Sequence, residues 1–488
     1  RPLPTDSIVQ SNTNRFKHYF LSDRTESVAG YRRIVEQLAG DIAGAISRAQ
    51  QPYSGTSPAD LRQQIAALDR FPALGRPLAE VIERTRALVL ENNISVYHPH
   101  CVAHLHCPCF IASLAAEMLI SAFNQSMDSW DQAPAASMIE QALGEDLCGL
   151  YGLGADSDAV FTSGGTESNN LAIKGAAHFY QSRGKHIVTV KTEHKAVLDT
   201  TRELERQGFE VTYLPVESDG SLDLHLLERS IRPDTAVVSV MMANNETGVI
   251  QPVSEIFRMS KATGLPTHSD AIQAAGKIPI DVKALGVDML SISAHKFHGP
   301  KGVGSLYVRS GLAFEPLLRG GGQEGGRRSG TENTAGIVGM GVAAELAAKH
   351  LSGGGAAAVA AMRDVFETKV IAGLSGVTLN GGPDQRLPNT SHLSFADCEA
   401  SGLLILLDEK NIACSAGSAC MTGSQRPSHV QLAMGIPEVR AKSSLRFSFS
   451  RLNTMDDAHA AADAVIAAVE KLRRVQGGGV GPVTVYSP

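Results

Sequence analysis

The sequence predicts an α/β protein with a mostly parallel sheet, preceded by a helical N-terminal region. From about residue 158, short β-branched or apolar runs alternate with amphipathic helices, which is the pattern of βαβ units. Before that point, apolar residues recur at three- and four-residue spacing, as in helices that bury one face. The length of 488 residues is sufficient for two or three domains.

Residues 1 to about 92 are predicted to be helical. The segments VAGYRRIVEQLAGDIAGAI and PLAEVIERTRALVLENN have helical periodicity, and QPYSGTSPADLRQQI between them indicates a loop followed by a new helix. The predicted strands follow in DAVFTSGG, HIVTVKT, TAVVSVMMAN, DMLSISAHK and GVGSLYV, and one more α+β unit follows residue 360. We therefore divide the chain into an arm, 1–92, a large domain, 93–335, and a small C-terminal domain, 336–488.

Composition narrows the classes of function. The formal charge of −6 gives no support for nucleic-acid binding, and no apolar run is long enough to span a membrane. Seven cysteines do not form a disulfide framework in a chain of this length. The first residues lack a signal-peptide pattern, so we expect reduced thiols and a cytoplasmic location.

A lysine at a strand end is the first candidate for chemistry. Lys296 in SAHKFHGPKG follows the apolar strand DMLSIS. A lysine that forms a Schiff base must be held rigidly and must lose its proton readily, and a strand end followed by Gly and Pro provides a fixed position. A lysine near a glycine is by itself more often a surface residue, so the neighbouring motifs decide the interpretation.

Three further motifs also stand at predicted strand ends. Asp270 in HSDAIQAAGK can pair with a protonated pyridine nitrogen. Gly165 and Thr166 in TSGGTESNN offer backbone N–H groups and a hydroxyl to a phosphate at a helix N-terminus, although the turn could also be simple helix capping. His194 in TEHKAV can stack on a flat ring. Because ligands bind at the carboxyl edge of open α/β sheets, the four motifs predict a pyridoxal phosphate (PLP) site.

From about residue 158 to 470 the chain resembles the cysteine desulfurases of iron–sulfur-cluster assembly. The similar stretches include FTSGGTESNNLAIKGAA, MMANNETGVIQPV, SAHKFHGPKGVG, GGGQEGGRRSGTEN, SAGSACMTGS and SLRFSFSR. The resemblance implies PLP fold type I, that of aspartate aminotransferase, and a homodimer. It also implies an amino-acid substrate and a sulfur acceptor, which is a protein or a small molecule.

The resemblance assigns roles to individual residues. Lys296 binds the cofactor covalently, His194 stacks on the ring as an acid/base, and Asp270 pairs with the pyridine nitrogen. Arg446 binds the substrate carboxylate, and Cys420 is the nucleophile that accepts sulfur. The other residues implied to contact cofactor or substrate are Gly165, Thr166, Asn245, Gln273, Ser293, His295 and, from a partner subunit, Thr331.

The surroundings of Cys420 agree with that role. SAGSACMTGSQRPSHV is small, polar and glycine-rich, which indicates a mobile, exposed loop. A buried structural cysteine would stand in an apolar run instead. Cys414, six residues earlier, is interpreted as a packing residue at a strand end.

The N-terminal part departs from the desulfurases, because their YLD-x-A-T-like opening segment is absent. Residues 1 to about 157 instead resemble the group II amino-acid decarboxylases, above all the diaminobutyrate decarboxylases, whose helical arm interlocks two subunits. HPHCVAHLHCPC matches the segment that lines their substrate pocket, so we expect His104 and His106, with Leu105 and Cys107, to influence substrate choice. The same segment could suggest zinc, but no second ligand pair exists, so no metal site is predicted.

Three functions are compatible with these observations. The leading hypothesis is a desulfurase that transfers sulfur to Cys420 and leaves alanine, and the alternative is an amino-acid decarboxylase. A non-enzymatic scaffold or sulfur-relay protein is disfavoured by the intact Lys296, Asp270 and His194. Arg446 favours the desulfurase. An arginine that binds the substrate carboxylate near the ring plane leaves the Cα–H bond pointing out of that plane. A decarboxylase gains nothing from binding tightly the group that it must lose.

Overall fold

The structure is a computed structural model that describes residues 25–51, 53–67, 78–92, 118, 157–416 and 427–477. The chain divides into two compact units, residues 1–98 and 99–488. Among the helices in these ranges, none is both long enough and apolar enough to cross a bilayer.

The described residues of the first unit are mainly helical, as their periodicity predicts. Its helices are α1 (Thr25–Arg48), α2 (Pro58–Ala66) and α3 (Leu78–Thr85), and α3 continues into a π-helical turn at Arg86–Leu90. Helix α2 begins where the sequence indicates a new helix. Ser57 accepts a hydrogen bond from the backbone N–H of Asp60, and Pro58 occupies the first helical position, where a missing N–H costs nothing.

The second unit contains a seven-stranded sheet. Its strands are β1 (Ser157–Thr162), β2 (His186–Val190), β3 (Glu210–Leu214), β4 (Thr235–Ser239), β5 (Thr267–Asp270), β6 (Met289–Ser293) and β7 (Gly304–Arg309). Their order across the sheet is β1-β7-β6-β5-β4-β2-β3. Strand β7 runs antiparallel to both of its neighbours, while β2 to β6 pair in parallel. The prediction of a mostly parallel sheet is confirmed.

Helices connect the strands and cover the sheet. Those of the large sheet are α4 (Gly165–Tyr180), α5 (Lys195–Arg206), α6 (Leu224–Ser230), α7 (Val253–Ala262) and α8 (Val282–Leu285). Short 3-10 turns at Ala294–Lys296 and Gln323–Gly326 follow β6 and β7. Strand β2 is buried throughout, as a central strand covered on both faces should be.

A second, smaller sheet lies in the C-terminal part of the same unit. Strands β8 (Val377–Leu379), β9 (Thr390–Phe395) and β10 (Ser444–Ser448) are antiparallel in the order β10-β9-β8. The accompanying helices are α9 (Thr334–Ser352), α10 (Gly355–Gly373), α11 (Ala400–Asp408), α12 (His429–Ala433), α13 (Glu438–Lys442) and α14 (Met455–Gly477). The expected C-terminal α+β unit is therefore present, while the exact boundaries at 92 and 335 stay predictions.

A buried histidine links three strands of the large sheet. Nδ1 of His268 lies 2.9 Å from the Ser239 hydroxyl, and Nε2 lies 2.9 Å from the Ser291 hydroxyl. Burial lowers the pKa of His268 to about 3 from an ordinary value of 6.5. The folded protein therefore keeps this ring neutral at pH values where the unfolded chain protonates it.

We expect the free energy of unfolding to fall below about pH 6.5 because of His268. Between that pH and about pH 3 the unfolded state binds one more proton, so stability decreases as pH falls, by about 1.4 kcal/mol per pH unit for this group. Denaturant unfolding at pH 7 and pH 5.5 should show a smaller pH-dependent loss in His268→Gln than in the wild type. An identical loss in both proteins would contradict the assignment.

Candidate active site

The predicted strand-end motifs meet at one edge of the large sheet. Strands β2, β4, β5 and β6 are parallel, and β1 runs in the same direction because β7 is antiparallel to both β1 and β6. The residues after each of these strands therefore lie at the same carboxyl edge, as the sequence predicts.

The turn between β1 and α4 is shaped for a close approach. Gly164 has a φ of 144°, a conformation that glycine adopts readily. A Cβ on Gly165 would lie 2.1 Å from Cδ1 of Ile272, and one on Gly164 would lie 3.8 Å from Oγ of Ser293. Thr166, in the first turn of α4, is exposed. We call residues 162–167 the phosphate turn, because a helix N-terminus suits an anion.

Ser293 connects the phosphate turn to the lysine. It is the last residue of β6 and is fully buried, and its hydroxyl lies 2.9 Å from Nδ1 of His295. Lys296 ends the 3-10 turn that follows and is partly buried. The backbone N–H groups of Phe297 and Gly299 both donate to the carbonyl of Ala294, which fixes the position of this lysine.

Asp270 is buried at the end of β5. Its Oδ2 accepts a hydrogen bond of 2.7 Å from Nδ2 of Asn169, and its Oδ1 accepts one of 3.0 Å from the backbone N–H of Ile272. Burial raises the pKa of Asp270, while the neighbouring His194, Asn169 and Lys296 oppose this shift. A cationic group placed against this carboxylate would be stabilised, since burial without a counter-charge is costly.

His194 caps helix α5, and its pKa depends on the charges of Asp270 and Lys296. Its Nδ1 accepts a hydrogen bond of 3.1 Å from the backbone N–H of Ala196, so the neutral ring carries its proton on Nε2. Burial lowers the pKa of His194, and Lys296 and His429 add to this effect while Asp270 opposes it. A neutral ring at neutral pH results, with Nε2–H available as a donor.

The structure adds contacts that the sequence motifs did not indicate. Glu193 is fully buried, and its Oε1 accepts a hydrogen bond of 2.6 Å from the backbone N–H of Met241. Burial, reinforced by the charge of Asp270, raises the pKa of Glu193 well above its usual value. Nε2 of His429, at the start of α12, lies 2.9 Å from the Glu193 carbonyl. No local pattern signals this contact, because the two residues are 236 positions apart.

Arg446 reaches the site from the small sheet. It is 2% exposed, and Nη1 donates a hydrogen bond of 2.7 Å to the backbone carbonyl of Asn245. Asn245 Oδ1 is buried and finds no hydrogen-bond donor among the described residues. Ser415 pairs with Arg446 through two backbone hydrogen bonds of 3.1 and 2.6 Å. The chain that leads to Cys420 is therefore anchored on the arginine.

The remaining predicted site residues have different positions. Gln273 accepts a hydrogen bond of 2.9 Å at Oε1 from Nζ of Lys277. Thr331 is exposed. Cys420, His104 and His106 lie outside the described residues. Cys414 packs against the core of the small sheet, and burial raises the pKa of its thiol, which suits the packing role expected of it.

The residues at this edge fit PLP. A lysine, a buried carboxylate and a helix N-terminus are the groups that bind its aldehyde, pyridine nitrogen and phosphate. The buried Asn245 oxygen, which has no donor among the described residues, can accept from a hydroxyl or amine. In the part of the chain that the structure describes, no group of His, Cys, Asp and Glu side chains is arranged to bind a metal ion.

Comparison with known proteins decides the family. Residues 133–460 match the class-V aminotransferase family. The chain is 49% identical over 338 residues to the cysteine desulfurase IscS of Anaeromyxobacter sp. strain Fw109-5, covering 69% of this chain and 82% of that protein. This chain belongs to the cysteine desulfurase family within the class-V aminotransferases. Its cofactor is PLP, as the strand-end motifs predict.

Another curated relative and two solved structures are also similar to this chain. The mitochondrial cysteine desulfurase of Arabidopsis thaliana is 48% identical over 320 residues, covering 65% of this chain and 70% of that protein. A NifS-like protein of known structure superposes with a TM-score of 0.69 at 33% identity, covering 78% of this chain and all of that one. The structure of SspA in complex with cysteine superposes with a TM-score of 0.62 at 34% identity, covering 72% of this chain and 98% of that one. The resemblance to desulfurases is confirmed, and the decarboxylase-like character of residues 1–157 stays a prediction.

Proposed function

We propose that this protein is a cysteine desulfurase that acts on L-cysteine or a related amino acid and forms a persulfide on Cys420. The observation that supports it most is the placement of Arg446, which the small sheet brings to the edge that carries Lys296, Asp270 and His194. The IscS protein and the Arabidopsis relative described above are cysteine desulfurases by name, and SspA is described in complex with cysteine. PLP, when bound, supplies the electron sink for bond breaking at Cα.

The buried guanidinium of Arg446 suits a substrate carboxylate. Its backbone pairing with Ser415 and its hydrogen bond to the Asn245 carbonyl fix its position. A carboxylate held there stays in the substrate through the reaction, whereas a decarboxylase must release it. The known relatives do not favour the decarboxylase, so the N-terminal resemblance is its remaining support.

Protons and sulfur balance in the proposed reaction. Lys296 and the neutral His194 are placed to move protons at the substrate, and Asp270 is placed to hold a cationic nitrogen. The Cys420 thiolate forms a sulfur–sulfur bond as the substrate's carbon–sulfur bond breaks, and the electron pair of that bond stays with carbon. With the protons counted, a thiol and cysteine give a persulfide and alanine. A sulfur acceptor, protein or small molecule, then takes the sulfur.

Product analysis tests this function. The purified protein is incubated with L-cysteine and, separately, with diaminobutyrate, under reducing conditions. We expect sulfide and alanine in equal amounts from cysteine, and no carbon dioxide from either substrate. Carbon dioxide without sulfide would replace the proposal with the decarboxylase alternative. A location in the cytoplasm stays a prediction.

We further propose that the protein is a homodimer that uses α1 as an interface. An apolar stripe on this helix is 36–46% exposed in the single chain, and it consists of Val28, Tyr31, Leu38, Ile42 and Ile46. A helix normally buries an apolar stripe against another surface, and exposed apolar patches mark interaction sites. Thr331 is exposed in the single chain, as expected if it serves a second subunit.

Charged substitutions in the apolar stripe should dissociate the dimer. Placing Glu at both Leu38 and Ile42 puts two charges into an interface that buries apolar surface, which is strongly unfavourable. Light scattering should show a dimer for the wild type and a monomer or aggregate for the double variant. Val439→Glu, at an apolar residue exposed on α13, is the matched control and should remain dimeric. A dimer that survives the double substitution would rule out α1 as the interface.

A further inference from the structure

A partly buried ion pair joins the phosphate turn to a distant loop. Glu167 is the third residue of α4, and its Oε2 accepts a hydrogen bond of 2.8 Å from the backbone N–H of Ser163. Nε of Arg328 donates to Oε1 at 2.7 Å, and Nη2 donates to Oε2 at 3.2 Å. The two side chains are only 13% and 18% exposed, so solvent screens the pair weakly.

The ion pair neutralises a carboxylate that would otherwise repel a bound phosphate. A carboxylate at the N-terminus of α4 stabilises the helix and holds the Ser163 N–H, yet its charge would repel a phosphate bound at the same end. Partial burial raises the pKa of Glu167, but hydrogen bonds from Arg328 and Ser163 outweigh this effect and the pKa is lowered. The carboxylate is therefore ionised, and Arg328 supplies the compensating charge.

Arg328 also begins the loop that carries Thr331. We call residues 328–333 the Arg328 loop. The Ser329 hydroxyl donates to the Gly321 carbonyl at 2.7 Å, and Nδ2 of Asn333 donates to the Gly302 carbonyl at 3.1 Å. Thr331 lies between these anchors and faces solvent. The position of Thr331 is thus set from one side by the phosphate turn and from the other by the turn that follows Lys296.

We propose that Glu167 and Arg328 are positioning residues for the cofactor phosphate, acting on the phosphate turn and, through the Arg328 loop, on Thr331. The proposal rests on the proposed homodimer, in which Thr331 completes the phosphate site of the partner. Loss of the pair leaves an uncompensated carboxylate beside the phosphate or releases the loop. In both cases the cofactor's phosphate is bound less tightly, and its ring contacts are unchanged.

Cofactor binding to the apoprotein tests the proposal without an activity assay. Equilibrium dialysis with PLP and with pyridoxal, which lacks the phosphate, separates phosphate contacts from ring contacts. Arg328→Gln should weaken PLP binding about tenfold and pyridoxal binding less than twofold, since a charge-assisted bidentate pair is lost. Arg328→Lys keeps the positive charge without the bidentate geometry, so its PLP affinity should lie between those of the wild type and Arg328→Gln. Glu203→Gln, which breaks the exposed pair with Arg206 on α5, is the matched control and should bind as the wild type does.

A double variant tests the path through the Arg328 loop. If Arg328 acts partly through Thr331, the loss of PLP affinity in the double variant Arg328→Gln, Thr331→Ala should be smaller than the product of the two single losses. A strictly multiplicative loss overturns the loop part of the proposal, and equal losses for PLP and pyridoxal overturn the phosphate part. A wild type that binds no PLP refutes the proposed function itself, and a monomeric wild type refutes the dimer.

Discussion

Replacing Lys296 with alanine is expected to abolish covalent cofactor attachment and to lower the rate of sulfide release by about 10⁴-fold or more, the upper end of what a lost acid–base group alone costs. The lysine stands three residues after a buried strand, on a turn fastened by hydrogen bonds to the Ala294 carbonyl. Its charge acts on both Asp270 and His194. Alanine offers no amine in its place.

The visible absorbance of the purified protein measures this effect. The wild type should be yellow, and Lys296→Ala should lose that absorbance after dialysis because the cofactor is no longer held covalently. Lys301→Ala removes an exposed lysine five residues later and is the matched control. A colourless wild type that PLP cannot reconstitute would refute the assignment of Lys296.

Replacing Cys420 with serine should abolish persulfide formation and lower sulfide release by at least about 10²-fold, since a hydroxyl is a far poorer nucleophile than a thiolate. The cysteine lies five residues after Ser415, which is paired with the backbone of Arg446. Five extended residues span at most about 17 Å. A tether of that length, fixed on the arginine proposed to bind the substrate carboxylate, allows the thiol to reach the sulfur of the same substrate.

Mass spectrometry after brief exposure to L-cysteine measures the persulfide directly. The wild type should gain one sulfur atom on Cys420, and Cys420→Ser should gain none while keeping its cofactor absorbance. Cys414→Ala removes the packed thiol nearby and should still form the persulfide on Cys420. If carbon dioxide release survived Cys420→Ser and the wild type carried no persulfide, the protein would be a decarboxylase.

The sequence predicts the strand-end residues of the site but not the buried groups around them. Lys296, Asp270, His194 and the phosphate turn each follow a strand that is recognisable from its own residues, so their common edge could be predicted. The effect of buried groups around His194 could not be predicted from the sequence. Glu193 is buried, and His429 contacts it from a distant segment of the chain.

The sequence by itself determined the strands that carry the site, the motifs at their ends and the family, because these properties belong to short, local stretches. It did not predict strand β3. The tertiary structure alone decided which distant residues meet. Arg446 lies 201 positions from Asn245, and Arg328 lies 161 positions from Glu167. Such pairs form because the packing of two sheets and a returning loop brings charged groups together where water screens them little. The proximity of these distant residues cannot be predicted from periodicity or from a local motif.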